Sequence, residues 1–390
     1  MRFALTLLAL AAVVNPAAAA SHKLRDKTAN QDARFHDAFE VVNQWVADGA
    51  FPGAVVAIGQ HGSLLALKAF GHTEYTAGAP EIRTDEIFDL ASLSKVIGTT
   101  SCAAYLYDHG MLLLDAQVQE YVTDFRGVKD HDKVTVRELL THGSGIPTPR
   151  LFYKFANDKA GILKQIYTVD LAAPPGTQFV YRDTNFILLG DIVERVSHKP
   201  LNEILQKHVF GPLKMTSTEY RPGPELRDRI APTEMDDILR HKLVRGEVHD
   251  ENCYTMGGVC GHAGLFSSAG DLAVFAQMML NHGKYGRKRV FQKRTVDLFT
   301  SRQNIPANSS RALGWDTPAP GSFAGDLASP HAILHTGFTG TSIYVDFERD
   351  AFIVLLTNRV NPTRQNLKIN QARPAIHTAI LQTLTPTQSR

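Results

Sequence analysis

The chain has 390 residues, of which 44% are hydrophobic and 21% charged, with a formal net charge of +2. That composition excludes a disordered or collagen-like polymer and supplies enough apolar material for a sizeable core. Near-neutral charge with no long basic run gives nucleic-acid binding no electrostatic footing.

Arg2, the apolar run Phe3 to Val14 and the small residues Ala18-Ala19-Ala20 have the order of a secretory signal peptide. Residues 1–20 are therefore expected to be cleaved, leaving a periplasmic or secreted chain that starts near Ser21. No cysteine follows the run, which speaks against a lipid anchor. No later segment reaches the ~18 apolar residues of a membrane span, so no integral membrane segment is expected after cleavage. Cys102, Cys253 and Cys260 are too few for a disulfide framework in a chain this long. Spacing permits one bridge, Cys253 to Cys260; Cys102 reads as a small buried residue.

Residues 36–48 carry helical periodicity. Two apolar runs follow, 53–60 and 63–70, and the His61-Gly62 pair between them reads as a hairpin turn. A helix is predicted over 93–108. From 111 to 250 strand signals are scarce, and helical patterns occupy 134–145, 185–199 and 200–213. Pro174-Pro175-Gly176 breaks the chain before Phe179-Val180-Tyr181. A further helix fits 271–282; strands are predicted at 332–340, 341–347 and 351–358, and a last helix at 369–383. Strands near both ends with helices between them predict an α/β (α+β) fold. One antiparallel sheet would be built from about 36–92 and 260–390. A mostly helical region, about 93–259, would be inserted, and residues 21–390 would form a single unit.

Ser92 and Lys95 are three residues apart at the start of a predicted helix, a spacing that puts both side chains on one face. A serine hydroxyl becomes a nucleophile when a base takes its proton. The positive end of a helix pushes a nearby lysine toward the neutral form that can act as such a base. Free N–H groups at the helix start could also hold a developing oxyanion. Alone, this spacing is a short motif of low specificity. Two more stretches accompany it: Tyr181-Arg182-Asp183, after Pro175-Gly176, and His335-Thr336-Gly337-Phe338 on a predicted strand.

With these three stretches in order, the chain resembles the serine β-lactamase and penicillin-binding-protein family, in its class C-like branch of esterases and D,D-peptidases. The family's S-x-x-K, Y-x-N and K-T-G appear here as Ser92–Lys95, Tyr181–Asp183 and His335–Gly337. Blocks at 134–147, 175–196, 249–280 and 353–359 add to the likeness, which spans about residues 36–383.

The resemblance implies a serine hydrolase that needs no cofactor. Ser92 would be the nucleophile, Lys95 its partner, and Tyr181 a second base or the acid for the leaving group. Asp183, His335, Thr336, Gly337 and Phe338 would meet the substrate, with the N–H groups of Ser92 and Phe338 as oxyanion hole. The substrate would be a small molecule or a peptidoglycan-derived fragment.

Two departures matter. Asp183 stands where the family has Asn; a carboxylate cannot donate to a substrate carbonyl, and its charge favours a positive Lys95. His335 stands where the family has Lys, and an imidazole is only partly charged near neutrality. Both shift the expectation toward esters or D-amino-acid amides and away from efficient β-lactam turnover. The alternative is a binding module for cell-wall fragments or β-lactams that acylates slowly or not at all.

Thr141 to Gly145 reads as a helix stop and turn. His249 and His262 lie in a glycine-rich segment without zinc-like spacing, so no metal is assigned and the segment is expected to line or underlie the pocket. The chain has no G-x-S-x-G elbow, Walker A or G-x-G-x-x-G fingerprint, which disfavours an α/β-hydrolase and nucleotide cofactors.

Overall fold

A computed structural model describes residues 23–147 and 151–384. The segment read as a signal peptide, and the start near Ser21, lie outside these described residues.

The apolar runs at the two ends of the chain meet in one six-stranded sheet. Its order is Arg25–Asp26, Ser63–Gly71, Gly53–Gln60, Ala351–Thr357, Ser342–Asp346, Ala332–Thr336. The five longer strands pair antiparallel. Arg25–Asp26 joins the edge in parallel, so the sheet is mixed rather than wholly antiparallel. Two exposed polar residues carry no strand pattern; their pairing comes from the edge they land on. His61 and Gly62 turn the hairpin with φ of 50° and 69°, the left-handed conformation that a two-residue hairpin turn requires.

The central strands are buried on both faces, which is why they read as continuous apolar runs. Val55 and Ala57 pack to one side, Ala54, Val56 and Ile58 to the other. Phe352, Val354 and Leu356 alternate in the same way with Ala351, Ile353 and Leu355. Helices His36–Ala47 and Ile369–Thr383 cover one face. Helix Ala269–Leu280 and the helical region cover the other.

The expected helix over 93–108 begins as a wide π turn, Ser94–Thr99, before the α-helix Thr100–Asp108. Such turns are over-represented at functional sites. The pattern at 134–145 shortens to Val136–Leu140, capped by a reciprocal Thr135–Glu138 box. It stops where His142 takes φ 58°. The pattern at 185–199 is the helix Asp183–Ser197. A small sheet of Ile87–Asp89, Leu265–Ser268 and Glu219–Tyr220 was not predicted and sits just before Ser92. Among the described residues no helix is long and apolar enough to cross a membrane.

Candidate active site

Ser92 follows directly from the strand Ile87–Asp89, through Ala91 with φ 45°. The buried Asp89 carboxylate organises this corner. It accepts the Ala91 N–H at 2.8 Å and the His249 N–H at 2.7 Å, tying the Ser92 turn to the 249–262 segment. Two threonines on the far side fasten it: Thr339 Oγ1 donates to Asp89 O at 2.7 Å and Thr341 Oγ1 to Leu90 O at 3.0 Å. Gly337 lies so close that a Cβ there would stand 2.4 Å from Leu90 O and 2.1 Å from Thr341 Oγ1, so the end of strand Ala332–Thr336 is held against the serine turn.

Lys95 is fully buried, and its Nζ lies at the centre of the site. It donates to Ser92 Oγ at 2.8 Å and to His262 O at 3.0 Å, and it pairs with Asp183 Oδ1 at 2.8 Å. An ammonium has three protons, and here Ser92 Oγ, His262 O, Asp183 and the Tyr181 hydroxyl all compete for them. Burial works against the charge, but Asp183 and Tyr181 outweigh it and hold the Lys95 pKa above the ordinary lysine value. The neutral lysine expected from the helix start is therefore corrected. The counter-charge of Asp183 at contact distance dominates the weak, diffuse field of a helix terminus.

Asp183 opens the helix Asp183–Ser197, where a carboxylate in the first turn also suits the helix dipole. Tyr181, two residues earlier, is partly exposed, with its ring centroid 5.1 Å from Lys95 Nζ. The His142 ring lies 4.5 Å and the His335 ring 6.0 Å from it, centroid to centroid. His142, read as part of a structural turn, thus packs directly against Tyr181. Its Nδ1 accepts the Arg182 N–H at 3.2 Å, which fixes the backbone beside Tyr181. Asn185 supplies no replacement for the missing Y-x-N amide: it is buried, bonded to His142 Nδ1 and Ser144 Oγ.

His335 is buried as well. Its Nδ1 faces Thr336 O at 2.9 Å; a carbonyl only accepts, so Nδ1 carries the hydrogen. Burial, with Arg311 and Lys95 nearby, pushes the imidazole well below its ordinary pKa. The expected partly charged histidine is corrected to a neutral one, because desolvation and three cations, Arg311, Lys95 and Arg373, act in the same direction.

Ser92, Tyr181, Asp183, His335, Thr336, Gly337 and Phe338 all line one cavity of about 910 Å³, between the sheet and the helical region. His249, Asp250, Glu251 and His262 form its other wall. His249 Nε2 meets Glu234 at 2.7 Å, and His262 Nε2 meets Asp250 at 2.8 Å. Gly261 brings this wall against the helix Asp183–Ser197, near Gly190, and so carries His262 O to Lys95. The bridge that spacing permits between Cys253 and Cys260 is not formed: all three cysteines are free and buried. Arg311, Arg373 and Asp89 escaped the sequence reading. They lie outside any periodic or spaced pattern, and only folding brings them to the serine turn or the cavity.

The chain matches the Beta-lactamase family model over residues 38–376. It is 33% identical over 356 residues to an N-acetylmuramyl-L-alanine amidase of Bacillus subtilis (strain 168), covering 82% of this chain and 80% of that protein. A putative D-alanyl-D-alanine carboxypeptidase of Escherichia coli (strain K12) is 30% identical over 400 residues, covering 92% and 91%. Among solved structures, a penicillin-binding protein homologue from Caulobacter crescentus shares the fold with TM-score 0.72 at 19% identity, covering 90% of this chain and 98% of that one. EstCE1, a hydrolase with promiscuous acyltransferase activity, does so with TM-score 0.69 at 20% identity, covering 89% and 99%. The chain belongs to the beta-lactamase family and is a serine hydrolase.

Proposed function

We propose that the chain hydrolyses amide or ester bonds of cell-wall-derived fragments through an acyl-enzyme on Ser92. The observation that carries this reading is the Lys95 ammonium, shared at 2.8 Å by Ser92 Oγ and Asp183 Oδ1 beneath an open cavity. The relatives named as an amidase and as a putative carboxypeptidase support the amide class. The N-terminal pattern of Arg2, Phe3 to Val14 and Ala18-Ala19-Ala20 supports action outside the cytoplasm.

A lysine that already holds three protons cannot take another from Ser92. That role falls to Tyr181, whose ring Lys95 contacts. In the first step Tyr181 acts as its phenolate: the Ser92 oxygen attacks the substrate carbonyl carbon while the Ser92 proton passes to the Tyr181 oxygen. The charge developing on the carbonyl oxygen is met by the N–H groups of Ser92 and Phe338, neither of which donates a hydrogen bond to a described backbone carbonyl. The carbon–leaving-group bond then breaks, and Tyr181 returns the proton to the departing amine or alcohol. Water repeats the sequence on the acyl-enzyme and frees Ser92. Lys95 remains charged throughout and stabilises the negative charge that passes between Ser92 and Tyr181.

The test is intact-mass analysis during turnover of a chromogenic ester and of muramyl-peptide and D-Ala-D-Ala amides. A transient mass increase equal to the acyl group, located on Ser92 and absent in Ser92→Ala together with turnover, is the expected result. Turnover by Ser92→Ala equal to the parent would eliminate the serine as nucleophile. Stoichiometric acylation without turnover would instead favour the binding module.

A further inference from the structure

We propose that Cys253 and Cys260 are an oxidisable thiol pair beneath the active site: hydrogen peroxide closes them into a disulfide, and the closure draws the His262 carbonyl off Lys95. The bridge itself is independent of the Ser92 acyl-enzyme reading; its effect on turnover rests on that reading.

Cys260 has the surroundings of a nucleophile. Its Sγ lies 2.9 Å from His262 Nδ1, and His262 Nε2 lies 2.8 Å from Asp250 Oδ1. A carboxylate only accepts, so Nε2 carries a hydrogen, and Nδ1 shares a proton with the sulfur. A thiol, an imidazole and a carboxylate in series turn the thiol into a reactive thiolate. Burial opposes that charge, but the adjoining Cys253 thiol and the His262 ring outweigh it and hold the Cys260 pKa well below the ordinary thiol value. Burial and the charge on Cys260 keep Cys253 a thiol. The Ser92 reaction uses no step from this triad, which reaches Lys95 through the backbone carbonyl of His262 at 3.0 Å.

A second thiol is in place to resolve the first oxidation product. The Cys253 and Cys260 side chains interact directly, and the chain between them folds back, with Gly258 N donating to Cys253 O at 2.9 Å. Gly257 and Gly258 make that reversal with φ of 86° and 81°. The cover they form is thin. A cavity of about 630 Å³ borders Met256, Gly257 and Val259, and one of about 610 Å³ borders Gly257 and Gly258. Peroxide, hardly larger than water, needs only a small opening of this cover to meet Cys260. The Cys260 sulfur attacks one peroxide oxygen: an S–O bond forms, the O–O bond breaks, and the departing hydroxide takes the His262 Nδ1 proton and leaves as water. The Cys253 sulfur then attacks Cys260: the S–S bond forms, the S–OH bond breaks, and hydroxide leaves with the Cys253 proton as a second water. Each sulfur gives up one electron and the peroxide takes both. His262 Nδ1 then faces a disulfide sulfur, a weaker partner than a thiolate, and Cys253 loses its 3.3 Å bond to Ala263 O. Both losses fall on residues 260–264, the segment whose carbonyl holds Lys95.

The experiment uses the full chain, reduced with dithiothreitol, freed of it and then treated with hydrogen peroxide. Remaining thiols are alkylated in denaturant and mapped by peptide mass, and turnover of a chromogenic ester is followed on the same samples. All three cysteines should be alkylated before treatment and Cys102 alone after it, with the peptide that holds Cys253 and Cys260 lighter by two hydrogens. Turnover should fall about tenfold and return with dithiothreitol. In Cys253→Ala, oxidation should halt at a sulfenic acid on Cys260, captured by dimedone. In Cys260→Ala, Cys253 should stay a thiol, and the treated-to-untreated ratio of turnover should stay near one. Each protein is compared with itself, so a general loss of activity in a variant does not mimic the result. Full alkylation of Cys253 and Cys260 after peroxide, a bridge that leaves turnover unchanged, or an equal reversible fall in Cys260→Ala overturns the proposal while leaving the Ser92 reading standing. If the reduced chain turns over no ester, the Ser92 reading fails instead, and the peptide map still decides the bridge.

Discussion

Lys95 and Asp183 form a pair whose two halves have unequal freedom. The lysine is fully buried, whereas the carboxylate is about one-third exposed on its side chain. Removing the carboxylate charge strands the ammonium without its counter-ion, and burial then disfavours it. The sign is clear: in the parent the lysine pKa is raised, so the ammonium survives through about pH 10, the ordinary lysine range. In Asp183→Asn the pKa falls, and the charged form is lost at lower pH. The parent should show a flat alkaline arm of kcat/KM up to about pH 10, and the variant a decline that begins about one unit or more earlier. A pH–rate profile with a neutral ester measures this; superimposable profiles would show that Asp183 does not govern the lysine.

The wall made by residues 260–264 positions the site as an element. It touches the helix Asp183–Ser197 so closely that a Cβ on Gly261 would stand 1.9 Å from Phe186 O. Thr99 Oγ1 donates to Gly261 O at 2.7 Å, so the wall is also tied to the π turn after Ser92. Gly261→Ala has to lift the segment off the helix and carry His262 O away from Lys95. We expect a stability loss of about 1–3 kcal/mol in denaturant unfolding together with a fall of about tenfold or more in kcat. Normal kcat in a destabilised variant would mean that the His262 carbonyl contributes nothing to the placement of Lys95. Periodicity alone does not reveal such a contact, because the glycine touches an element 75 residues away in the chain.

At the scale of the whole molecule, one buried carboxyl makes stability pH-dependent. Glu86 is almost fully buried, its Oε1 has no partner, and burial raises its pKa to about 7. The folded state thus binds a proton that the unfolded chain releases near pH 4.5, the ordinary glutamate range. Stability from this group is fully present below about pH 4.5 and is lost as pH rises to about 7. Glu86→Gln has no such proton to lose. Relative to the parent it should gain up to about 3 kcal/mol between pH 4.5 and pH 8 in urea unfolding. A pH-independent difference between the two proteins would contradict the raised pKa.

By itself the sequence determined what local periodicity and turn chemistry control. The hairpin at His61-Gly62, the two-sided apolar strands, the helices His36–Ala47 and Ile369–Thr383 and the Ser92–Lys95 spacing are all legible, since each depends on neighbours a few residues away. The order of three motifs made the family readable. Tertiary structure decided the rest. The short strands Glu219–Tyr220 and Arg25–Asp26 exist only because partners offer a free edge. Lys95 is charged because Asp183, far along the chain, arrives at its Nζ, and His335 is neutral because Arg311 and Lys95 share its buried surroundings. Charge state and donor satisfaction are properties of an environment, and distant segments create that environment only when they meet.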